Sequence, residues 1–481
     1  MRTGRLLVLS TCLASLPLLI GCALKHAAQV GAGFAAKVTC SLANNSGQDP
    51  QWVIDEYIAH EAKGLGPLLR FRMDEHGSEA RVAGVIRARA VVRPGLGCTL
   101  VPGDSVRQLV LPDGLPEAML ARPALDPAVA WPHGAADPPP ASPAIVAALE
   151  RAFAEPDLAQ GRVRNTSAVV VAHDGRLVAE RYAKGYTATT PMLSWSMAKS
   201  VTAALIGIEV GDGRLDLHAR APVPEWGDPA DPRSRITLDQ MLRMSSGIDF
   251  AEVYSSAPSD VSTMLFSRPD VAAYAADRPL AGPPDTIWSY SSGTTNIVAR
   301  MLRTLHGDDL AAQVRFARAR LFDAADMTSA FFEPDVTGTF IGSSFAFMTA
   351  RDWARFGELH RNDGVWAGRR ILPEGWVRYV TTPTPGAPRG SYGAQWWLNA
   401  GTPGDSADRQ WKKLPVDTFA AWGHSGQYVM IVPSAKLVVV RLGLSLPDGD
   451  DVGLEQLVVD LMQALGESGE AASQATATQH D

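Results

Sequence analysis

The order of strand and helix patterns after residue 143 constrains the fold more than any other feature of this sequence. Strand patterns occur only at the two ends of residues 144–465, and the chain between them is mostly predicted helix and loop. Strands from both ends can share one antiparallel sheet if the intervening helices pack against it as an insertion. We therefore predict an α+β fold, an α/β sandwich, with a functional site between sheet and insertion. The predicted strands are 166–172, 177–182, 419–422, 427–432 and 437–444, and the predicted flanking helices are 144–154 and 454–465.

The residues before and after this domain divide into shorter regions. Residues 23–121 predict a small α+β module with a helix at 50–62 and strands at 68–73 and 80–92. The proline-rich stretch 122–143 cannot sustain a helix or a central strand and predicts a linker. Residues 466–481 are small and polar and predict a disordered tail.

The N-terminus has the pattern of a bacterial lipoprotein signal. Arg2 and Arg5 precede an apolar stretch at 6–20, and Leu-Ile-Gly-Cys ends at Cys22. We expect residues 1–22 to be a signal peptide, Cys22 to be lipidated, and the exported protein to be a periplasmic, membrane-anchored lipoprotein. The alternative is a plain signal peptide cleaved slightly later, with Cys22 incidental.

Two further cysteines, Cys40 and Cys98, remain in the exported chain and predict a disulfide, with two buried thiols as the alternative. No metal site is predicted, because His60-Glu61 lacks the second histidine that a zinc-binding helix needs. A net charge of −7 without a basic stripe argues against nucleic-acid binding. A small molecule is the expected partner, and no cofactor is required.

The segment Ser196-Met197-Ala198-Lys199 places a hydroxyl and an amine three residues apart at the start of an apolar run. Residues at i and i+3 share a helix face, so Lys199 can reach the Ser196 oxygen. The apolar helix that follows, 201–208, predicts the desolvated setting that lowers a lysine pKa and lets the amine act as a base.

Two other motifs follow in order. Tyr290 stands on a loop before a predicted helix, where its phenol could pass a proton between a nucleophile and a leaving group. His424-Ser425-Gly426 is expected on an edge-like strand, where Gly426 would let a ligand lie against the backbone. The next amide N–H, that of Gln427, could then donate to a developing oxyanion.

Together these motifs resemble the serine β-lactamase and penicillin-binding superfamily, in particular class C-like esterases and aminohexanoate-dimer hydrolases. Ser196 to Lys199 match the Ser-x-x-Lys box, Tyr290-Ser291-Ser292 lie at the Tyr-x-Asn box, and His424 to Gly426 at the Lys-Thr-Gly box. The likeness spans 144–465. A Gly-x-Ser-x-Gly elbow, which an α/β-hydrolase would need, is absent.

The resemblance implies a β-lactamase/transpeptidase-like fold and acyl transfer through a covalent acyl-enzyme. Ser196 would be the nucleophile, Lys199 its base and Tyr290 the proton relay, with the N–H groups of Ser196 and Gln427 as the oxyanion hole. The residues expected to bind substrate are Ser292, His424, Ser425 and Gly426.

Two departures from the family pattern bear on the substrate. Ser292 replaces an asparagine whose amide holds a substrate amide, and His424 replaces a lysine whose fixed charge receives a β-lactam carboxylate. Both changes favour esters or uncharged amides over penicillins. The alternatives are a non-catalytic envelope lipoprotein that recognises peptidoglycan or a signal, and a true β-lactamase or D-alanyl peptidase.

Overall fold

A computed structural model describes most of the chain. It covers residues 7–62, 64, 66–102, 115–155, 163–254, 258–446 and 452–477, with side chains described from 23 to 466 within these ranges. The helices are α1 Leu7–Ser46, α2 Pro50–Trp52, α3 Ala59–Glu61, α4 Pro143–Phe153, α5 Ala198–Gly211, α6 Leu238–Leu242, α7 Asp260–Ser267, α8 Val271–Ala276, α9 Ser292–Leu305, α10 Leu310–Ala317, α11 Ala350–Arg361, α12 Trp376–Val380 and α13 Leu454–Ala477. The strands are β1 Leu69–Asp74, β2 Gly77–Val82, β3 Ile86–Arg93, β4 Gly97–Pro102, β5 Thr166–His173, β6 Arg176–Tyr182, β7 Pro191–Leu193, β8 Phe331–Phe332, β9 Ala346–Thr349, β10 Val365–Trp366, β11 Arg369–Arg370, β12 Trp397–Leu398, β13 Phe419–Gly423, β14 Gln427–Val432 and β15 Leu437–Gly443.

The central sheet is antiparallel and takes strands from both ends of the domain, in the order β12-β13-β14-β15-β5-β6. Strand β15 closes the sheet by pairing with β5, for example Val439 opposite Val171. Helices α5 to α12 lie between the two sets of strands in the sequence. The predicted α+β sandwich is therefore confirmed.

Both faces of this sheet are covered. Helices α4 and α13 pack together on one face through residues such as Leu149 and Leu461, and α11 packs on the other against β14, β15 and β5. On that second face a Cβ at Gly357 would lie 2.5 Å from Val438 Cγ1, so a glycine lets α11 approach the sheet closely. Burial from both sides explains why β15 is apolar along nearly its whole length.

The N-terminal residues form a four-stranded antiparallel sheet, β1-β2-β3-β4, against which α1 packs. Cys40 of α1 and Cys98 of β4 are joined by a disulfide with their Cα atoms 6.1 Å apart. The prediction of one strand at 80–92 was wrong, because Ala83 and Gly84 both have positive φ and turn the chain between β2 and β3. Helix α1 was not predicted, because its residues 30–42 are mostly small and almost all buried, which leaves no amphipathic stripe in that part.

The N-terminal region packs firmly on the rest of the chain. Lys37 of α1 and Glu333 are both fully buried and form an ion pair of 2.5 Å. The same carboxylate accepts hydrogen bonds from Ser41 Oγ and from the Cys98 backbone N–H. A Cβ at Gly33 would clash with the carbonyl oxygen of Phe266, which shows how closely α1 approaches α7.

The proline-rich stretch 122–143 contains no helix or strand before α4, but it lies bound to the protein surface. Trp131 is buried, and Arg351 and Arg355 donate hydrogen bonds to backbone oxygens of the stretch. It therefore packs as part of the domain surface.

The two termini of the chain fall largely outside the described side chains. The side chains of the predicted signal segment, residues 1–22 with Cys22, are outside the described part. The predicted tail starts at residue 466, which lies within α13. Within the described part of the chain, no helix has the length and apolar character needed to span a membrane.

Candidate active site

Ser196 lies in a tight turn at the entrance to α5. A 3₁₀ turn at Trp195–Met197 runs directly into the helix, and Trp195 has a φ of 44°. A bulky residue with positive φ costs about 1 kcal/mol or more, and such strain is common at functional turns. Ser196 is partly exposed while its neighbours on both sides are buried. The turn therefore leaves Ser196 partly open to solvent between buried neighbours.

Lys199 is the buried partner of Ser196. Its side chain is about 1% exposed, and its Nζ lies 3.0 Å from Ser196 Oγ, 2.9 Å from Ser292 Oγ and 3.2 Å from the Ser343 carbonyl oxygen. Burial lowers the pKa of Lys199 to about 8, and the negative charge of Glu252 partly opposes that shift. The amine is thus neutral in a large fraction of molecules at mildly alkaline pH.

The hydrogen-bond partners of Lys199 also orient it. The Ser343 carbonyl can only accept, and Ser292 Oγ donates its proton to Glu252, so both oxygens accept N–H groups of the amine. The lone pair of a neutral Lys199 is then left to face the Ser196 hydroxyl. This polarity matches that of a base aimed at a nucleophile.

Glu252 is a site residue that the sequence did not indicate. Its carboxylate accepts the Ser292 backbone N–H at 2.8 Å and the Ser292 hydroxyl at 2.6 Å, and the Tyr254 hydroxyl donates to it at 3.1 Å. The backbone N–H belongs to the first turn of α9, where a negative charge is favoured. The loop that carries Glu252 has no helical or strand periodicity, so nothing in the sequence pointed to this residue.

Ser292 was predicted to bind substrate, and that role stays a prediction. It is fully buried between Lys199 and Glu252. Serine is shorter than the asparagine of the family pattern, and its oxygen lies within hydrogen-bond distance of the Lys199 amine.

Tyr290 lies beside Lys199. The Lys199 Nζ is 4.7 Å from the centroid of the Tyr290 ring, which packs against Trp397 and Tyr392 at centroid distances of 5.3 and 5.7 Å. The structure therefore brings together three predicted residues, Ser196, Lys199 and Tyr290, from α5 and the loop before α9.

His424-Ser425-Gly426 form the loop between β13 and β14. Gly423 pairs with Gln427 across the hairpin. Strand β12 pairs with β13 only at Phe419 and Ala420, so among the described strands Ala421–Gly423 pair with β14 alone and the edge-like character is as predicted. The prediction that residues 424–426 lie on the strand was wrong, because they form the turn that follows it. A Cβ at Gly423 would lie 2.3 Å from the Ser194 carbonyl oxygen and 3.1 Å from the Ser196 backbone nitrogen. Glycine here allows the hairpin to approach the nucleophile's turn.

The predicted substrate-binding role of Gly426 stays a prediction, and the structure shows a packing reason for this glycine. A Cβ at this residue would lie 2.3 Å from Nη1 of the buried Arg441, which donates a hydrogen bond of 2.7 Å to the Gly426 carbonyl. The glycine therefore makes room for an arginine inside the protein. Ser425 is fully buried as well, and its Oγ lies 2.9 Å from the Tyr57 hydroxyl.

Gln427 fixes this loop through its side chain. Its Nε2 donates to the His424 and Ser425 carbonyl oxygens, both at 3.2 Å, and its Oε1 accepts the Gly443 N–H at 3.1 Å. The predicted role of its backbone N–H in an oxyanion hole stays a prediction.

His424 connects the hairpin loop with three other parts of the chain. Its ring contacts Trp195, the neighbour of Ser196, at 5.3 Å between centroids and stacks on Tyr254 at 5.1 Å. Its Nε2 lies 3.1 Å from Glu61 Oε2, and because a carboxylate can only accept, the imidazole donates. Like Glu252, Glu61 is a residue near the predicted motifs that the sequence did not indicate.

No group of three or more metal-binding side chains occurs among the described residues. The chemistry that the described side chains offer at this site is that of the Ser196 hydroxyl, the buried Lys199 amine and the Tyr290 phenol.

Comparisons with known proteins agree with this geometry. The family model named Beta-lactamase matches residues 146–461. A 6-aminohexanoate-dimer hydrolase from Paenarthrobacter ureafaciens is 28% identical over 364 residues, covering 68% of this chain and 86% of that protein. A solved Bacillus anthracis structure described under the same activity has a TM-score of 0.54 at 25% identity and covers 64% of this chain and 81% of that one. The structure of a family VIII carboxylesterase is similar in fold alone, with a TM-score of 0.50 at 14% identity, 67% coverage of this chain and 98% of that one.

The family model spans well over half of the sequence and contains the serine box, the tyrosine box and the third motif. The resemblance seen in the sequence is thereby confirmed: the chain belongs to the beta-lactamase family and is a serine hydrolase of that fold.

Proposed function

We propose that this protein cleaves neutral esters or linear amides through an acyl-enzyme on Ser196. The observation that carries the proposal is the buried Lys199 amine, whose other contacts are acceptors and whose lone pair is left to face the Ser196 hydroxyl at 3.0 Å. A pure recognition protein has no need of a serine activated in this way.

The proposed reaction has two steps, acylation of Ser196 and hydrolysis of the acyl-enzyme. Ser196 Oγ attacks the substrate carbonyl while neutral Lys199 takes its proton, and the backbone N–H groups of Ser196 and Gln427 stabilise the oxyanion. Tyr290 passes a proton to the leaving alcohol or amine as the scissile bond breaks. Water then attacks the acyl-enzyme and gives up a proton to Lys199 and Tyr290. The acid leaves, and Ser196 is free again.

The substrate class follows from the third motif and from the relatives. His424 stands where a fixed cation would receive a β-lactam carboxylate, so the site lacks a permanent charge for anionic lactams. The relative from Paenarthrobacter ureafaciens is named for a linear amide dimer. We therefore expect the purified protein to react covalently with a fluorophosphonate probe and to hydrolyse short p-nitrophenyl esters with a higher kcat/KM than nitrocefin.

The same panel of p-nitrophenyl esters, linear amide dimers and nitrocefin separates the alternatives. A protein that neither labels nor turns over any of them would be a recognition lipoprotein. A preference for nitrocefin by orders of magnitude would identify a true β-lactamase.

We also propose export and lipid anchoring through Cys22, supported by the basic start, the apolar stretch and the Leu-Ile-Gly-Cys end of residues 1–22. Cys22→Ser is expected to release the protein to the soluble periplasmic fraction or leave its signal uncleaved, as measured by detergent partitioning and mass spectrometry. Cys12→Ser, in the same segment, is the matched control and should stay membrane-bound. A soluble wild type with a mature start beyond residue 22 would contradict the proposal.

A further inference from the structure

The helical segment 50–61 reaches the third motif from outside the family domain. This segment lies outside residues 146–461, which the family model matches. It presents Tyr57 and Glu61, four residues apart, to the same hairpin loop: the Tyr57 hydroxyl lies 2.9 Å from Ser425 Oγ, and Glu61 Oε2 lies 3.1 Å from His424 Nε2. Two adjacent loop residues thus have partners on one N-terminal segment.

The segment is held in place, so these contacts are built into the fold. Tyr57 is about 1% exposed, and Val53 and Ile58 are buried in the main core together with residues of α1. Helix α1 is in turn fixed to the family domain by the buried ion pair between Lys37 and Glu333.

Glu61 is linked through His424 to the turn that carries Ser196. Its partner His424 contacts the ring of Trp195, whose chain neighbour is Ser196. The side chain of Glu61 is 18% exposed while that of His424 is 6% exposed, so the carboxylate is the more accessible member of the pair. A substrate carboxylate that reached His424 would therefore meet the Glu61 carboxylate as well.

We propose that Glu61 is a specificity-determining residue that excludes substrates carrying a carboxylate near the scissile bond. A substrate carboxylate approaching His424 would compete with Glu61 for the same imidazole N–H and would be repelled by the Glu61 charge. A neutral acyl chain of equal length meets no such repulsion. This inference rests on the proposed function and deepens it, because it assigns the preference for neutral substrates to a residue of the N-terminal segment.

The test uses the full-length protein and two esters of equal chain length, p-nitrophenyl valerate and the anionic mono-p-nitrophenyl glutarate. Glu61→Gln keeps the size of the side chain and an acceptor for His424 but removes the charge. The ratio of kcat/KM for the anionic ester to that for the neutral ester is expected to rise about fivefold. The increase should shrink at high salt, because a partly exposed charge is screened.

Glu56→Gln is the matched control, because it makes the same change of net charge at an exposed position of the same segment. Its ratio of kcat/KM for the anionic ester to that for the neutral ester should stay within about twofold of wild type. The change in this control shows how much of the Glu61→Gln effect comes from net charge at long range. A second variant, His424→Lys, provides an independent readout. Glu61 would pair with the new ammonium, so we expect the ratio to rise clearly more in His424→Lys/Glu61→Gln than in His424→Lys alone.

An unchanged ratio in Glu61→Gln, or an equal loss on both esters, would show that the pair only stabilises the loop and would overturn the inference. Ser196→Ala separates that failure from failure of the proposed function. If Ser196→Ala is inactive while Glu61→Gln leaves selectivity unchanged, only the role of Glu61 is wrong; if Ser196→Ala hydrolyses both esters normally, the proposed function is wrong.

Discussion

Replacing Ser196 with alanine is expected to lower kcat for p-nitrophenyl ester hydrolysis by about 10⁴-fold or more and to abolish labelling by a fluorophosphonate. In the proposed mechanism Ser196 Oγ forms the acyl-enzyme, so its removal takes away the nucleophile of the attack step. Ser196 is partly exposed and outside the apolar core, so the thermal unfolding midpoint should change little. Steady-state kinetics, intact-protein mass spectrometry and a thermal melt measure these three quantities.

Ser200→Ala is the matched control for this variant. Ser200 lies one turn further along α5, where its buried hydroxyl donates a hydrogen bond of 2.7 Å to the Gln395 carbonyl. Its loss should cost about 1 kcal/mol of stability and leave covalent labelling intact. A Ser196→Ala protein that still reacts with the probe would place the nucleophile elsewhere and contradict the assignment.

The parts of the site that the sequence could predict are those fixed by short-range geometry. Ser196 and Lys199 are three residues apart, so their contact depends only on the local 3₁₀ turn and the start of α5. Strands β14 and β15, predicted at 427–432 and 437–444, were predictable because strands buried on both faces are nearly continuous apolar runs, and only the last residue of β15 differs.

The parts that could not be predicted depend on tertiary packing. Glu252 acts through an irregular loop that has no periodic pattern, and only the fold places it against the start of α9. Glu61 reaches His424 across 363 residues of sequence. The hairpin position of residues 424–426 also escaped prediction, because a His-Ser-Gly tripeptide fits a strand end and a loop equally well until the Gly423–Gln427 pair is known.

Replacing Lys199 with alanine is expected to reduce kcat about as severely as Ser196→Ala, because the two groups act as one unit in the attack step. Lys199→Arg should not restore activity, since a guanidinium stays protonated and cannot accept the hydroxyl proton. In both variants Ser196 remains in place, so prolonged incubation with a reactive fluorophosphonate should still yield slow labelling. Rapid hydrolysis by either variant would show that another group is the base.

The wild-type pH profile provides the sharper test of Lys199. The active form has a neutral amine, and burial lowers its pKa to about 8, so kcat/KM should rise as pH increases through about 8 and fall about tenfold per pH unit below it. Glu252 raises this pKa by its negative charge, so Glu252→Gln should move the rising limb to lower pH. A profile that is flat between pH 6 and 9 would contradict the role of Lys199 as the base. A Glu252→Gln limb displaced to higher pH would show that the carboxylate acts on the site by some means other than its charge on the amine.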